Sequence, residues 1–131
     1  MEVFNDLDEE LVNLFRVVRD PALCAQLQKA CQSTLYARAE FDLAQEPVDD
    51  PVERARRFLV RRNMSHSGLG QQWSYSVQNS SAGMASVVRR WQAAIGRLSK
   101  VHERLHNVQI EHDAWYAVVE RYDSPRTLFF G

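Results

Sequence analysis

The chain has 131 residues, of which 45% are hydrophobic and 25% charged, and its formal net charge is −1. This length and composition are typical of one globular domain. No apolar run approaches the ~18 residues of a membrane-spanning helix, and the acidic N-terminus lacks the basic and apolar regions of a signal peptide. We therefore expect a cytoplasmic protein without membrane association, and the sequence does not indicate its oligomeric state.

The charges are distributed unevenly along the chain. Residues 1–50 contain 11 acidic and 4 basic residues (−7), residues 51–107 contain 2 and 10 (+8), and residues 108–131 contain 4 and 2 (−2). A basic segment between acidic flanks indicates either contact with a polyanion or a solvated basic surface that binds nothing. The charge pattern alone does not separate these two interpretations.

The first fifty residues predict one short strand followed by helices. Hydrophobic residues recur with helical spacing, and Asp20-Pro21 is a helix-start signal, an N-cap followed by a first-turn proline. The predicted elements are, in order, a strand at 2–5, a helix at 7–18, a helix that starts at Pro21, a helix at 34–45 and a loop at 47–50.

The middle segment starts a new helix and then opens into a long loop. Asp50, Pro51 and Glu53 supply a cap, a first-turn proline and the acid of a capping box. The helix that follows carries five arginines: Arg54, Arg56, Arg57, Arg61 and Arg62. Residues 63–83 are polar and glycine-punctuated, which predicts a loop of the length that is usually functional or disordered. Helical spacing then returns over 87–105.

The last segment predicts a strand, a helix and a second strand. Residues 108–110 favour a buried strand, Asp113 is placed to cap a helix with Ala117 and Val118 inward, and residues 127–130 favour another strand. This strand–helix–strand order requires a parallel sheet with further strands. We therefore expect a predominantly α-helical chain with about three short strands that belongs to a larger α/β protein or is completed by a partner.

Neither the cysteines nor the histidines predict a metal site or a disulfide. Cys24 and Cys31 lie two helical turns apart, which favours two reduced thiols in the core over a disulfide. His102, Glu103 and His106 stand in the order His-Glu-x-x-His, which is the zincin spacing, but a five-residue motif alone is weak evidence for a metal site. We therefore expect no bound metal.

Both ends of the chain resemble one enzyme family. Residues 2–13 (EVFNDLDEELVN) resemble the polar turn and helix after the second strand of Dam-like adenine-specific DNA methyltransferases. Residues 127–130 (TLFF) resemble the strand that leads into that family's catalytic Asp-Pro-Pro-Tyr, and residues 108–111 and 121–125 are also similar. Residues 62–69 (RNMSHSGL) resemble a loop of the family's target-recognition region that enters DNA.

The resemblance implies a Rossmann-like α/β parent fold, S-adenosylmethionine as cofactor and double-stranded DNA as partner. Residues 1–50 would begin the cofactor domain, 51–107 would be a helical target-recognition insert with its loop at 63–83, and 108–131 would return to the cofactor domain. The family's glycine-rich loop would precede residue 1 and Asp-Pro-Pro-Tyr would follow Phe130. We therefore expect no catalytic residue here and no methyl transfer by the chain itself.

Four residues match positions at which the family holds its cofactor: Asp6, Glu111, His112 and Asp113. An acid just past a strand end of a doubly wound sheet is placed to accept hydrogen bonds from ribose hydroxyls. The alternative for Asp6 and Asp113 is a plain helix cap, and Asp8 is expected to be such a cap.

A larger group of residues is placed to contact DNA. Arginines suit phosphates, polar side chains of the loop suit base edges, and either Trp73 or Tyr75 suits the gap that an extruded base leaves. The candidates are Arg54, Arg57, Arg61, Arg62, Ser65, His66, Ser67, Gln71 and Trp73. The alternative function is a non-enzymatic helical module that binds DNA or another partner.

Overall fold

The computed structural model describes residues 2–5, 8–68, 70–77 and 85–128, without the side chain of Ser67. Helices form most of this part of the chain, and two strands form a small sheet. The elements are β1 (Glu2–Asn5), α1 (Glu9–Arg19), α2 (Pro21–Gln32), α3 (Arg38–Leu43), α4 (Pro51–Met64), a 3-10 turn (His66–Gly68), α5 (Ser86–Gly96), α6 (Leu98–Leu105), β2 (Val108–Glu111) and α7 (Trp115–Tyr122).

Three helices begin where the sequence predicts, each at an aspartate. The carboxylates of Asp8, Asp20 and Asp50 accept backbone N–H groups in the first turns of α1, α2 and α4. These N–H groups have no partner within the helix, so a side-chain acceptor in front of them stabilises the helix start. Pro21 and Pro51 occupy the first turn, where a missing N–H costs nothing. These three predicted caps are therefore confirmed.

The hydrophobic core lies between α1, α2, α4, α5 and α6. Its most deeply buried large side chains come from three of these helices: Val17, Val18, Leu27, Cys31, Val60 and Met64. Trp91 of α5 is also buried, and its indole N–H donates to the carbonyl of Thr34. Cys24 and Cys31 are free and buried, and burial raises the pKa of Cys31 to about 12. The prediction of two reduced core thiols is confirmed.

The two strands pair in parallel although they lie far apart in the sequence. The register runs from Glu2 opposite Val108 to Asn5 opposite Glu111. The helices between them form the crossover that a parallel pair requires. The predicted strands at 2–5 and 108–110 and the predominance of helix are confirmed, but β2 is partly exposed rather than buried. The parallel pairing of these two strands was not predicted. No helix of the described residues is long and apolar enough to cross a membrane.

Three local predictions were wrong. The third helix begins at Arg38 rather than at residue 34. Thr34 lies just past the C-cap of α2, and its hydroxyl donates to the carbonyl of Ala30 in that helix. Asp113 does not cap α7, whose N-cap is Ala114. Residues 127 and 128 form no strand; the side chain of Thr127 instead donates to Tyr122 and closes a turn. Phe129 and Phe130 lie outside the described residues.

Candidate cofactor edge and nucleic-acid interface

The carboxyl ends of β1 and β2 bring two distant polar segments together. Asn5 ends β1, and its side-chain amide donates to the carbonyl of Asp113 while its amide oxygen accepts the Asp113 N–H, both at 3.0 Å. This reciprocal pair fixes the loop after β2 against the end of β1. Asp6 follows directly in the chain but lies outside the described residues.

The two acids of this edge are held by α7. The guanidinium of Arg121 lies 3.0 Å from Glu111 and 3.2 Å from Asp113, and the hydroxyl of Tyr122 donates to Glu111 at 2.8 Å. The Tyr122 and Arg121 hydrogen bonds lower the pKa of Glu111, so this carboxylate stays ionised at neutral pH. His112 lies between them on the same loop and is exposed.

This edge retains acceptors that fit the polar groups of a nucleoside. Both partners of Glu111 bind its Oε1 atom, and Oε2 makes no hydrogen bond to the described residues. A free carboxylate oxygen at the carboxyl ends of parallel strands is the acceptor that ribose hydroxyls use in doubly wound folds. Glu111 is therefore suited to accept a hydrogen bond from a ribose hydroxyl of S-adenosylmethionine. Both oxygens of Asp113 already accept hydrogen bonds, one from the N–H of Ala114 and the other from Arg121.

The four candidate arginines of α4 differ in availability. Arg54 pairs with Glu10 of α1, Arg57 is 13% exposed and pairs with Glu53, and Arg61 donates to the carbonyl of Ala44. Arg62 has a side chain that is 55% exposed, lies 3.7 Å from Asp8 and packs over the ring of Phe58. Of these four, Arg62 is the best placed for a phosphate.

The remaining arginine of α4, Arg56, holds the protein together internally. It is 8% exposed, and its guanidinium donates to Glu53, Glu40 and Thr34. The hydrogen bonds from Arg56 and Arg57 lower the pKa of Glu53 to about 2. This cluster joins α3 and the end of α2 to α4, so Arg56 is a structural residue.

A tight loop follows α4 and presents the polar DNA candidates. Ser65 and Trp73 form an antiparallel bridge, and the backbone N–H of His66 donates to the carbonyl of Gln72. The hydroxyl of buried Ser65 accepts the N–H of Gly70, whose φ of 77° places it in the left-handed region. His66 and Gln71 are exposed on this loop, whereas Ser65 is buried and serves its geometry.

An aromatic stack lies beside the loop, and sequence reasoning missed half of it. Trp73 packs between Tyr36 and Tyr75, whose ring centroids lie 5.6 Å and 6.1 Å from that of Trp73. The guanidinium of Arg38 lies 4.7 Å from the centroid of the Trp73 ring. Trp73 is half-buried against the core, and Tyr75 is 64% exposed. Tyr75 is therefore better placed than Trp73 to meet a base, and no local signal in the sequence links Tyr36 or Arg38 to the loop.

No protein-family model matches the sequence, and a comparison with characterised proteins finds no significant match.

Proposed function

We propose that this chain is part of a cytoplasmic, S-adenosylmethionine-dependent DNA methyltransferase that modifies the N6 amino group of adenine. The observation that carries the proposal is the parallel pairing of β1 with β2, which brings Asn5 and the loop at 111–113 to one sheet edge. Ligands of open α/β folds bind at this edge. The division of roles at residues 50 and 107 stays a prediction.

The surface of the sheet supports its membership of a larger α/β layer. Phe4 and Ile110 occupy paired positions and are 38% and 39% exposed. Parallel sheets are normally covered on both faces, because their crossover connections place helices there. A two-stranded parallel sheet with exposed hydrophobic side chains therefore favours further strands and helices around it.

The loop at 65–73 supports contact with DNA. It presents the exposed side chains of His66 and Gln71, and Arg62 reaches the same loop at the carbonyl of Gly68, 3.5 Å away. This combination suits base edges and a phosphate. Adenine methylation requires the base to leave the duplex, because its amino group is not accessible within the stack. Tyr75, the exposed end of the aromatic stack, is placed to contact bases that this distortion leaves unstacked.

The role of the cofactor in this proposal is to supply the methyl group. Glu111 contributes a hydrogen-bond acceptor toward its ribose or adenine, and Asn5 keeps the loop after β2 in position. The 131 residues contain no Asp-Pro-Pro-Tyr. We therefore expect the chain to bind the cofactor but not to transfer its methyl group.

Two amide chemical-shift titrations of the chain test the proposal. S-adenosylmethionine is expected to shift residues 3–5 and 111–113, and an adenine-containing duplex is expected to shift residues 62–76. Glu111→Gln should reduce the first response and leave the second unchanged, because only the edge of the sheet is altered. Glu120→Gln, an exposed change on α7, is the matched control.

The pattern of responses separates the two functional classes. A response to DNA without one to the cofactor would favour a non-enzymatic DNA-binding module. Cofactor shifts confined to residues away from both strand ends would contradict the methyltransferase proposal.

A further inference from the structure

Two histidines meet at the end of α6, away from the cofactor edge and the loop. His102 lies within α6 and His106 is its C-cap in helical conformation, so the pair is one turn apart on the same side. Their Nε2 atoms are 3.2 Å apart, and their ring planes make an angle of 75°. Both nitrogen atoms are thus close enough to share one partner.

A backbone contact fixes the tautomer of His102. Its Nδ1 atom forms a hydrogen bond with the carbonyl oxygen of Val18 in α1. A carbonyl oxygen only accepts, so Nδ1 carries the hydrogen and Nε2 of the neutral ring presents a lone pair. Metal-binding histidines are commonly oriented in this way, with the second ring nitrogen donating to a carbonyl.

The separation of the two nitrogen atoms matches a shared metal ion. Two imidazole nitrogens at ~2.0–2.1 Å from one ion are about 3.3 Å apart at a tetrahedral angle and about 2.9 Å apart at a right angle. The observed 3.2 Å lies in this interval. His106 is exposed, so its ring can turn to direct its lone pair at the ion without disturbing the core.

An open cleft lies beside His106. Its volume is about 460 Å³, and His106 lines it together with Arg19, Asp20, Pro21 and Leu105. One oxygen of Asp20 accepts the N–H groups of Ala22 and Leu23 at the start of α2. Among the described residues no group of three or more His, Cys, Asp or Glu side chains is placed to hold a metal.

We propose that His102 and His106 form a two-ligand site for a divalent late first-row transition metal such as Zn²⁺. Imidazole is a preferred ligand of these ions, and water completes the coordination. Both ligands belong to the end of α6, and His102 also contacts the carbonyl of Val18 in α1, so the bound ion stabilises this end of α6 against α1. The two histidines also have the order His-Glu-x-x-His, in which zincins bind zinc through both histidines on one face of a helix. The inference does not depend on the proposed function.

Calorimetric titration of the full chain with ZnCl₂ tests the site. We expect one ion per chain, a higher Tm in the presence of zinc, because an ion that binds only the folded state stabilises it, and no binding of MgCl₂. Loss of a ligand should weaken zinc binding by at least the ~10-fold that loss of an outer-shell partner costs a metal site. His106→Ala removes one exposed ligand and spares the contact with Val18. His66→Ala removes an exposed histidine elsewhere and is the matched control.

The two variants and the pH dependence give a decisive result. His106→Ala should lose both the affinity and the rise in Tm, and His66→Ala should keep both. Acidification to about pH 5 should release the ion, because the ligands must be deprotonated to bind. Equal zinc affinity in wild type and His106→Ala, or no zinc binding by the wild type, would show that the pair is only a histidine–histidine hydrogen bond.

Discussion

Glu53 holds two arginines of α4 through separate hydrogen bonds. Its Oε1 atom lies 2.7 Å from Arg56 and 2.9 Å from Arg57, and Oε2 accepts from Arg56 at 2.9 Å. Arg56 is almost fully buried, so its charge depends on these acceptors. A buried charge that loses a partner is left uncompensated, which destabilises the folded state.

Glu53→Gln is therefore expected to lower the free energy of unfolding by about 2 kcal/mol at pH 7, the scale of a hydrogen bond to a charged group. Chemical denaturation measures this change. Glu120→Gln makes the same substitution at an exposed site of α7 and should change stability little. An equal loss in both variants would contradict the structural role of Glu53.

The stabilisation that Glu53 provides through its hydrogen bonds with the two arginines depends on pH with a defined sign. The hydrogen bonds from Arg56 and Arg57 lower the pKa of Glu53 from 4.5 to about 2 in the folded state. The stabilisation is therefore fully present above pH 4.5 and is lost as the pH falls toward 2. Denaturation at several pH values should show the difference between wild type and Glu53→Gln shrinking across this window. A difference that grows on acidification would have the wrong sign.

At the scale of single residues, the sequence predicted the aspartate caps but not the partners of the arginines. A cap acts on N–H groups within three residues, so its signal is local. The partner of Arg54 is Glu10, and Arg61 donates to Ala44. These contacts depend on how α1 and α3 pack against α4, which no local pattern reveals.

At the scale of elements, the loop at 65–73 depends on a glycine. Gly70 has a φ of 77°, and a Cβ placed there would lie 3.6 Å from the Cβ of Arg61. This is an ordinary contact, so the cost of a side chain comes from the left-handed backbone rather than from a clash. Gly96 is a contrasting position, because it is helical and a Cβ would meet nothing within 4 Å.

Gly70→Ala and Gly96→Ala should therefore shift stability in opposite directions. The first is expected to destabilise the protein by about 1 kcal/mol, and the second to stabilise it by about 0.5 kcal/mol. Thermal denaturation of both variants measures the signs. Stabilisation by Gly70→Ala would show that the loop does not need a left-handed residue at position 70.

Element prediction succeeded where the hydrophobic pattern was long or the start signal strong. The starts of α2 and α4 and the approximate extent of α1 follow from such signals, and the helical spacing over 87–105 covers α5 and α6 without separating them. Prediction failed at α3, which is a short helix with no side-chain cap, and at residues 127 and 128, where hydrogen bonds of the turn replace strand pairing. A run of hydrophobic residues does not form a strand without a neighbouring strand to pair with.

At the scale of the whole molecule, the opposite charges of the first two segments partly compensate each other. Arg54 binds Glu10, and Arg62 faces Asp8, so the acidic first turn of α1 lies against the basic helix α4. The positive charge available to DNA is therefore smaller than the sequence count of +8 over residues 51–107 suggests. The observed parallel sheet pairs β1 with β2, whereas the sequence predicted a parallel arrangement from the strand–helix–strand order at 108–130, whose second strand does not form at residues 127 and 128.

The central claim is that the face formed by Arg62 and the loop at 65–73 contacts DNA, and the salt dependence of DNA binding tests it most directly. Each phosphate contact adds ~0.9 to the slope of log affinity against log salt. Fluorescence anisotropy with a duplex should give a slope for Arg62→Ala that is flatter by ~0.9. The guanidinium of Arg61 donates to the carbonyl of Ala44, so replacing Arg61 as well should change the slope little.

Arg126→Ala removes an exposed arginine of the C-terminal turn and should leave the slope unchanged. A slope that is flatter in Arg62→Ala and unchanged in Arg126→Ala is the predicted result. The same slope in wild type and Arg62→Ala would contradict the account, because the basic face of α4 would then be solvated surface that binds no phosphate.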